Sequence, residues 1–177
     1  HVGADWLRVT GAAGQHLLVR AAAGRRVAAV SEPAVASALP AATGGNRRST
    51  VLCIEDNPAN LRLVHKILAT RPDIELLDAT SAEAGLEIAA TGKPDIILLD
   101  INLPGRSGLD VLQELKALCP QTPVLVVSAF PEEDYAVRAF KLGAAGYLTK
   151  DSASEELLAA VRKVTVGGRY VTASLAE

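Results

Sequence analysis

Three apolar runs constrain the fold of this chain more than any other feature: Val51-Leu52-Cys53-Ile54, Ile96-Ile97-Leu98-Leu99 and Val124-Leu125-Val126-Val127. No polar residue interrupts them, so both faces of each must be covered. Strands of that kind belong to a parallel sheet with helices on each side. Ile74 to Leu77 and the short Gly146-Tyr147-Leu148-Thr149 fit as two further strands. The segments between them carry helical spacing. Asn57-Pro58 supplies an N-cap and a first-turn proline ahead of Leu61, Val64, Ile67 and Leu68 on one face. Ser81 to Ala90 reads as a second helix. Ser107 with Asp110 reads as a capping box, opening a helix with Leu109, Leu112, Leu115 and Leu118 inward. Glu132 to Leu142 is a fourth helix, with Val137 and Phe140 toward the core. Ser152 with Glu155 caps a last one bearing Leu157, Leu158, Val161 and Val164, and Gly167-Gly168 stops it. Five β–α units follow one another from Thr50, and right-handed crossovers make a doubly wound α/β sheet their natural arrangement.

The residues that end the strands carry the chemistry. Glu55-Asp56 closes the first, Asp100 the third, Ser128 the fourth and Lys150 the fifth. An open α/β sheet brings such positions to one edge, where ligands bind. Three carboxylates there repel one another, at a cost on the order of 1–4 kcal/mol per pair at ~4–6 Å. Either one is protonated or a divalent cation sits among them, and hard oxygen donors suit Mg²⁺. With an amine and a hydroxyl beside it, Asp100 is set up to accept a phosphoryl group by in-line attack.

These motifs resemble the receiver (response regulatory) domain of two-component signal transduction, over residues 50 to about 170. The matching stretches are Ile54-Glu55-Asp56-Asn57, Leu98-Leu99-Asp100-Ile101-Asn102-Leu103-Pro104-Gly105, Val127-Ser128-Ala129, and Gly143-Ala144-Ala145-Gly146-Tyr147-Leu148-Thr149-Lys150. The resemblance implies a flavodoxin-like, CheY-like (βα)₅ fold with strand order 2-1-3-4-5. It implies Asp100 as phosphoacceptor. Glu55, Asp56 and Asp100 would hold Mg²⁺, directly or through water, with the backbone carbonyl of Asn102. Ser128 and Lys150 would contact the phosphoryl group, and Tyr147 takes the place of the switch aromatic. The phosphoryl donor would be a sensor histidine kinase or a histidine phosphotransfer domain. The face of the fourth helix, fifth strand and fifth helix would then change, with a homodimer through it as one outcome. The acidic pair departs from the commoner Asp-Asp, and Asp151 stands where many receivers have proline.

Two other classes compete. A haloacid-dehalogenase-like phosphohydrolase also phosphorylates an aspartate, but wants a second acid two residues on, where this chain has Asn102. A pseudo-receiver would act without phosphorylation. The domain itself is expected to be no enzyme beyond self-catalysed aspartyl phosphorylation and dephosphorylation. Gly143 to Glu177 looks like receivers that precede a DNA-binding helix-turn-helix domain, whereas Ile54 to Leu63 looks more like receivers fused behind a sensor kinase. The parent is therefore expected to be either a transcription regulator or a hybrid kinase, with DNA bound only through an output domain.

Residues 1–49 differ from the rest. They hold six Arg against Asp5 and Glu32, lack Ile, Phe and Tyr, and end in linker chemistry at 43–49. Trp6 to Thr10 and His16 to Val19 read as short strands. Residues 14–22 can be encoded so that a one-base shift gives Gly-Ser-Thr-Phe-Trp-Phe-Glu-Leu-Pro, which resembles the closing strand of a histidine-kinase ATPase domain. Residues 1 to about 40 then read as a frameshifted kinase tail. A receiver domain is expected over 50–168, with a C-terminal linker beginning at 169–177. The net charge of -2 argues against a broad nucleic-acid footprint. No apolar stretch reaches the ~18–20 residues of a membrane span, so no membrane contact is expected of this segment. Cys53 and Cys119, in apolar surroundings, read as free thiols of a cytoplasmic protein.

Overall fold

A computed structural model describes residues 6–10, 16–20 and 48–172, which fall into two units. In the first, β1 (Trp6–Thr10) and β2 (His16–Arg20) form an antiparallel pair with Trp6 opposite Arg20. Both expected strands are present, the second one residue longer. The rest of the stretch read as a shifted kinase tail, and the linker up to Arg47, lie outside the described residues.

The second unit alternates strand and helix. Its strands are β3 (Ser49–Ile54), β4 (Ile74–Ala79), β5 (Ile96–Leu99), β6 (Val124–Ser128) and β7 (Gly146–Thr149). Its helices are α1 (Pro58–Leu68), α2 (Ala82–Gly92), α3 (Gly108–Leu118), α4 (Glu132–Lys141) and α5 (Lys150–Thr165). All five strands are parallel in the order β4-β3-β5-β6-β7, which is 2-1-3-4-5 counted within the unit.

The period-2 alternation of strand side chains divides the core in two. Leu52, Ile54, Ile97, Leu99, Val126 and Tyr147 point to one face, where Ala82 and Ala89 of α2, Leu112 and Leu115 of α3 and Ala136 and Ala139 of α4 cover them. Val51, Cys53, Ile96, Leu98, Leu125 and Leu148 point to the other, under Val64 and Leu68 of α1 and Leu157, Ala160 and Val161 of α5. The unbroken apolar runs are thus buried on both faces.

Local details depart from the sequence reading at four points. Val137 is 51% exposed; α4 meets the core through alanines, with Phe140 only partly buried beside them. Leu118, the last residue of α3, is half exposed, while Val111 is fully buried. Ser107 stands at the N-cap of α3 without a side-chain cap bond. The last helix begins at Lys150, two residues before Ser152, because Thr149 takes the N-cap position and its hydroxyl hydrogen-bonds that of Ser152 at 3.0 Å. Asn57, by contrast, caps α1 as expected, its Oδ1 accepting from the Ala59 amide at 2.8 Å.

Candidate functional site

The parallel arrangement brings the C-terminal ends of β3, β5, β6 and β7 to one edge of the sheet. Glu55 and Asp56 follow β3, Asp100 follows β5, Ser128 ends β6, and Lys150 follows β7. Oxygens of Glu55, Asp56 and Asp100 lie within 4.8 Å of one another. Asp100 is 3% exposed and Glu55 5%, while Asp56 faces solvent, so the cluster opens to water on one side.

Hydrogen bonds orient the two buried acids. Asp100 Oδ1 accepts from the Asn102 amide at 2.9 Å, and Oδ2 accepts from Lys150 Nζ at 2.6 Å. Glu55 Oε1 accepts from the Asn57 amide at 3.0 Å, and its Oε2 lies 2.7 Å from Lys150 Nζ. Lys150 therefore divides its ammonium between two carboxylates. Burial pulls its pKa down, but the hydrogen bonds and charges of Asp100 and Glu55 outweigh that and hold it above the usual lysine value. One ammonium among three carboxylates leaves the cluster short of positive charge. Hard oxygen donors with one open side fit a divalent cation such as Mg²⁺.

Backbone crowding fixes the Asp100 loop. A side chain on Gly108 would place its Cβ 2.1 Å from Ile101 Cα, so only glycine lets α3 start this close to the loop. Arg106 ties the same loop outward to Glu114 of α3, with Glu83 of α2 at 3.9 Å.

Ser128 and Tyr147 form a second, adjoining arrangement. Ser128 is fully buried, and its Oγ accepts from the Phe130 amide at 3.0 Å. Tyr147 is also fully buried and donates its hydroxyl to the Phe130 carbonyl at 3.0 Å. Burial first, and then Glu132, Tyr135 and Asp100 nearby, raise the Tyr147 phenol, while a hydrogen bond with Ser128 opposes them. Phe130 thus links the hydroxyl at the end of β6 to the aromatic of β7, and its ring stacks on Tyr135 with centroids 4.6 Å apart. Its role was not foreseen from the sequence; the only signal was an aromatic two residues beyond Ser128.

Glu55, Asp56, Asp100 and Lys150 therefore meet as expected. Asn102 contributes its amide to Asp100. Burial above all, and the nearby Asp78 and Glu55 carboxylates, push the Cys53 thiol far up, so it is no nucleophile here. His65 sits apart, on α1, paired with Asp78 Oδ2 at 2.6 Å.

Residues 51–162 match the model of the response regulator receiver domain. The chain belongs to that family. The nitrate/nitrite response regulator NarL of Escherichia coli K12 is 36% identical over 128 residues, 72% of this chain and 59% of NarL. The transcriptional regulatory protein DegU of Brevibacillus brevis is 34% identical over 122 residues, 68% of this chain and 52% of DegU. The chain thus spans between about half and six-tenths of the length of these curated relatives. A response regulator of Burkholderia pseudomallei, solved with a phosphorylated aspartic acid, a calcium ion and citrate, is 28% identical over 67% of this chain and 69% of its own, with a TM-score of 0.60. The receiver is thus a doubly wound domain, as the strand pattern led us to expect, and CheY-like, as the resemblance implied. Among its described residues no helix is long and apolar enough to cross a membrane.

Proposed function

We propose that this receiver domain takes a phosphoryl group onto Asp100 and holds it as a signal. The observation that carries this reading is the 2.6 Å contact of Lys150 with Asp100 Oδ2, inside a cluster of three acids. An Asp100 oxygen attacks the phosphorus of a phosphohistidine on a sensor kinase or phosphotransfer domain. The P–O bond forms as the P–N bond breaks, and the departing imidazole keeps the electron pair and takes up a proton. Glu55, Asp56, Asp100 and the Asn102 carbonyl would hold Mg²⁺, which when bound neutralises charge on the phosphoryl oxygens. Lys150 moves its ammonium from the carboxylate to a phosphoryl oxygen, and Ser128 turns its hydroxyl to another. Tyr147 then responds through Phe130, and the face of α4, β7 and α5 changes, including any homodimer formed through it.

Asn102 supports storage over turnover, since the position two residues past Asp100 lacks the acid that a hydrolase would use to release the phosphate. The relatives are response regulators and transcriptional regulators, which supports a transcription-regulating parent with a DNA-binding output over a hybrid kinase. The aspartyl phosphate of the Burkholderia pseudomallei protein supports the same chemistry here.

The test is incubation with acetyl phosphate and Mg²⁺, followed by intact mass. One phosphoryl group should appear, absent from Asp100→Asn and lost on treatment with hydroxylamine. No adduct would point to the pseudo-receiver, and sustained phosphate release to the hydrolase.

A further inference from the structure

After α5 the chain turns through Gly167, in the left-handed region at φ 83°, and comes back along β7. The Tyr170 amide donates to the Ala145 carbonyl at 3.0 Å, and the Tyr147 amide donates to the Tyr170 carbonyl at 3.3 Å. Tyr170 pairs in parallel with Gly146. A Cβ on Gly146 would stand 2.9 Å from that of Tyr170 and 2.7 Å from Leu125 Cδ1, so glycine is what admits the returning chain. Side chains fasten this strap to both flanking helices. The Tyr170 hydroxyl binds the Glu156 carboxylate of α5, and the Thr172 hydroxyl binds the Glu132 carboxylate at the start of α4. An open groove of about 420 Å³ borders Thr172, lined also by Pro131, Glu132, Thr149, Ser152 and Glu156 among others.

We infer that residues Arg169–Thr172 are a strap that leaves β7 when Asp100 is phosphorylated, and so pass the state of the site to the chain beyond. The inference rests on the phosphoacceptor reading above. Its route is continuous. Ser128 Oγ accepts from the Phe130 amide at 3.0 Å, so a rotation of that side chain toward a phosphoryl group pulls on the Phe130 backbone. Phe130 holds the Tyr147 hydroxyl, and Tyr147 in turn holds the strap through its own amide. Two residues beyond Phe130 stands Glu132, which is 4% exposed and holds Thr172. A shift of the Phe130 segment therefore pulls on the strap at two points, its backbone at Tyr170 and its side chain at Thr172.

The experiment uses the whole chain with beryllofluoride and Mg²⁺ as a phosphoryl mimic. Binding is read by ¹⁹F NMR and amide exchange residue by residue by ¹H–¹⁵N NMR. The mimic should cut protection of the Tyr170 amide about tenfold and leave Leu125 in mid-sheet unchanged. Thr172→Val should loosen Tyr170 without the mimic. By reciprocity it should also bind the mimic about threefold to tenfold more tightly. Bound mimic with Tyr170 protection unchanged overturns the strap and leaves the phosphoacceptor reading standing. Thr172→Val that loosens Tyr170 with no gain in affinity overturns the coupling. No bound ¹⁹F signal on the parent chain removes both.

Discussion

Lys150 Nζ lies 2.6 Å from Asp100 Oδ2, though fifty residues separate them in the chain. The same ammonium lies 2.7 Å from Glu55 Oε2, so one cation serves two buried carboxylates. Lys150→Met leaves both without a counter-charge. Urea unfolding without divalent ions should show a loss of about 3 kcal/mol. Part of that loss should return on adding Mg²⁺, which replaces the missing positive charge.

Asp100→Asn removes a negative charge from the same cluster while keeping the shape. Glu55 keeps Lys150, and the repulsion on Asp56 falls. Thermal unfolding in the absence of metal should show stability raised by about 1 kcal/mol, even as phosphorylation by acetyl phosphate is abolished. A variant that both fails to phosphorylate and is much less stable than the parent would contradict this account of the site.

Alkaline pH should loosen the domain through four groups, beginning with the Cys53 thiol, which burial pushes far above its ordinary 9.0. Tyr147, Tyr170 and Lys150 also have pKa values raised by the fold, Tyr170 pushed up to about 12 by burial and by the Glu156 carboxylate. Each binds its proton more tightly folded than unfolded. Their stabilisation is complete below the ordinary values of 9.0 for cysteine, 10.0 for tyrosine and 10.5 for lysine, and is lost as pH rises from there through the folded values. Stability measured from pH 9 to about 12 should fall, and Tyr170→Phe should flatten part of that slope. Absorbance of tyrosinate should show the late-titrating phenol disappear in the same variant.

Tyr147→Phe keeps the ring in the core and deletes the hydrogen bond to the Phe130 carbonyl. The expected loss is about 1 kcal/mol, against about 3–5 kcal/mol for Tyr147→Ala, which would leave a cavity. Phosphorylation of Asp100 should survive in Tyr147→Phe, while the amide exchange pattern of α4 responds less to the phosphoryl mimic. An unaltered α4 response would remove Tyr147 from the route.

Runs such as Ile96–Leu99 made the parallel sheet legible, because a strand with no polar face has only one kind of home. The acidic cluster was legible for a related reason: strand ends share an edge whatever the intervening helices do. Helix faces were harder. Val137 is apolar yet half exposed, since α4 turns Ala136 and Ala139, with Phe140 beside them, toward the sheet and Val137 falls off that face. Ser107 holds the N-cap position of α3 but makes no side-chain cap bond, and Thr149 takes the N-cap position of α5 that spacing gave to Ser152. The Phe130 junction and the Tyr170 pairing are tertiary, made by residues 17 and 24 positions from their partners, and no local pattern announces them.

The returning segment at Tyr170 has a consequence for the solubility of the domain. β7 is a border strand, short and apolar, with a glycine where a protecting side chain would normally stand. Unpaired strand borders of that kind recruit other chains. A domain cut at residue 162, the end of the family match, would lose Tyr170 and bare the Ala145 carbonyl and Tyr147 amide. Such a fragment should self-associate at concentrations where a fragment ending past Thr172 stays monodisperse, and the four residues after Gly168 would then act as a guard against aggregation.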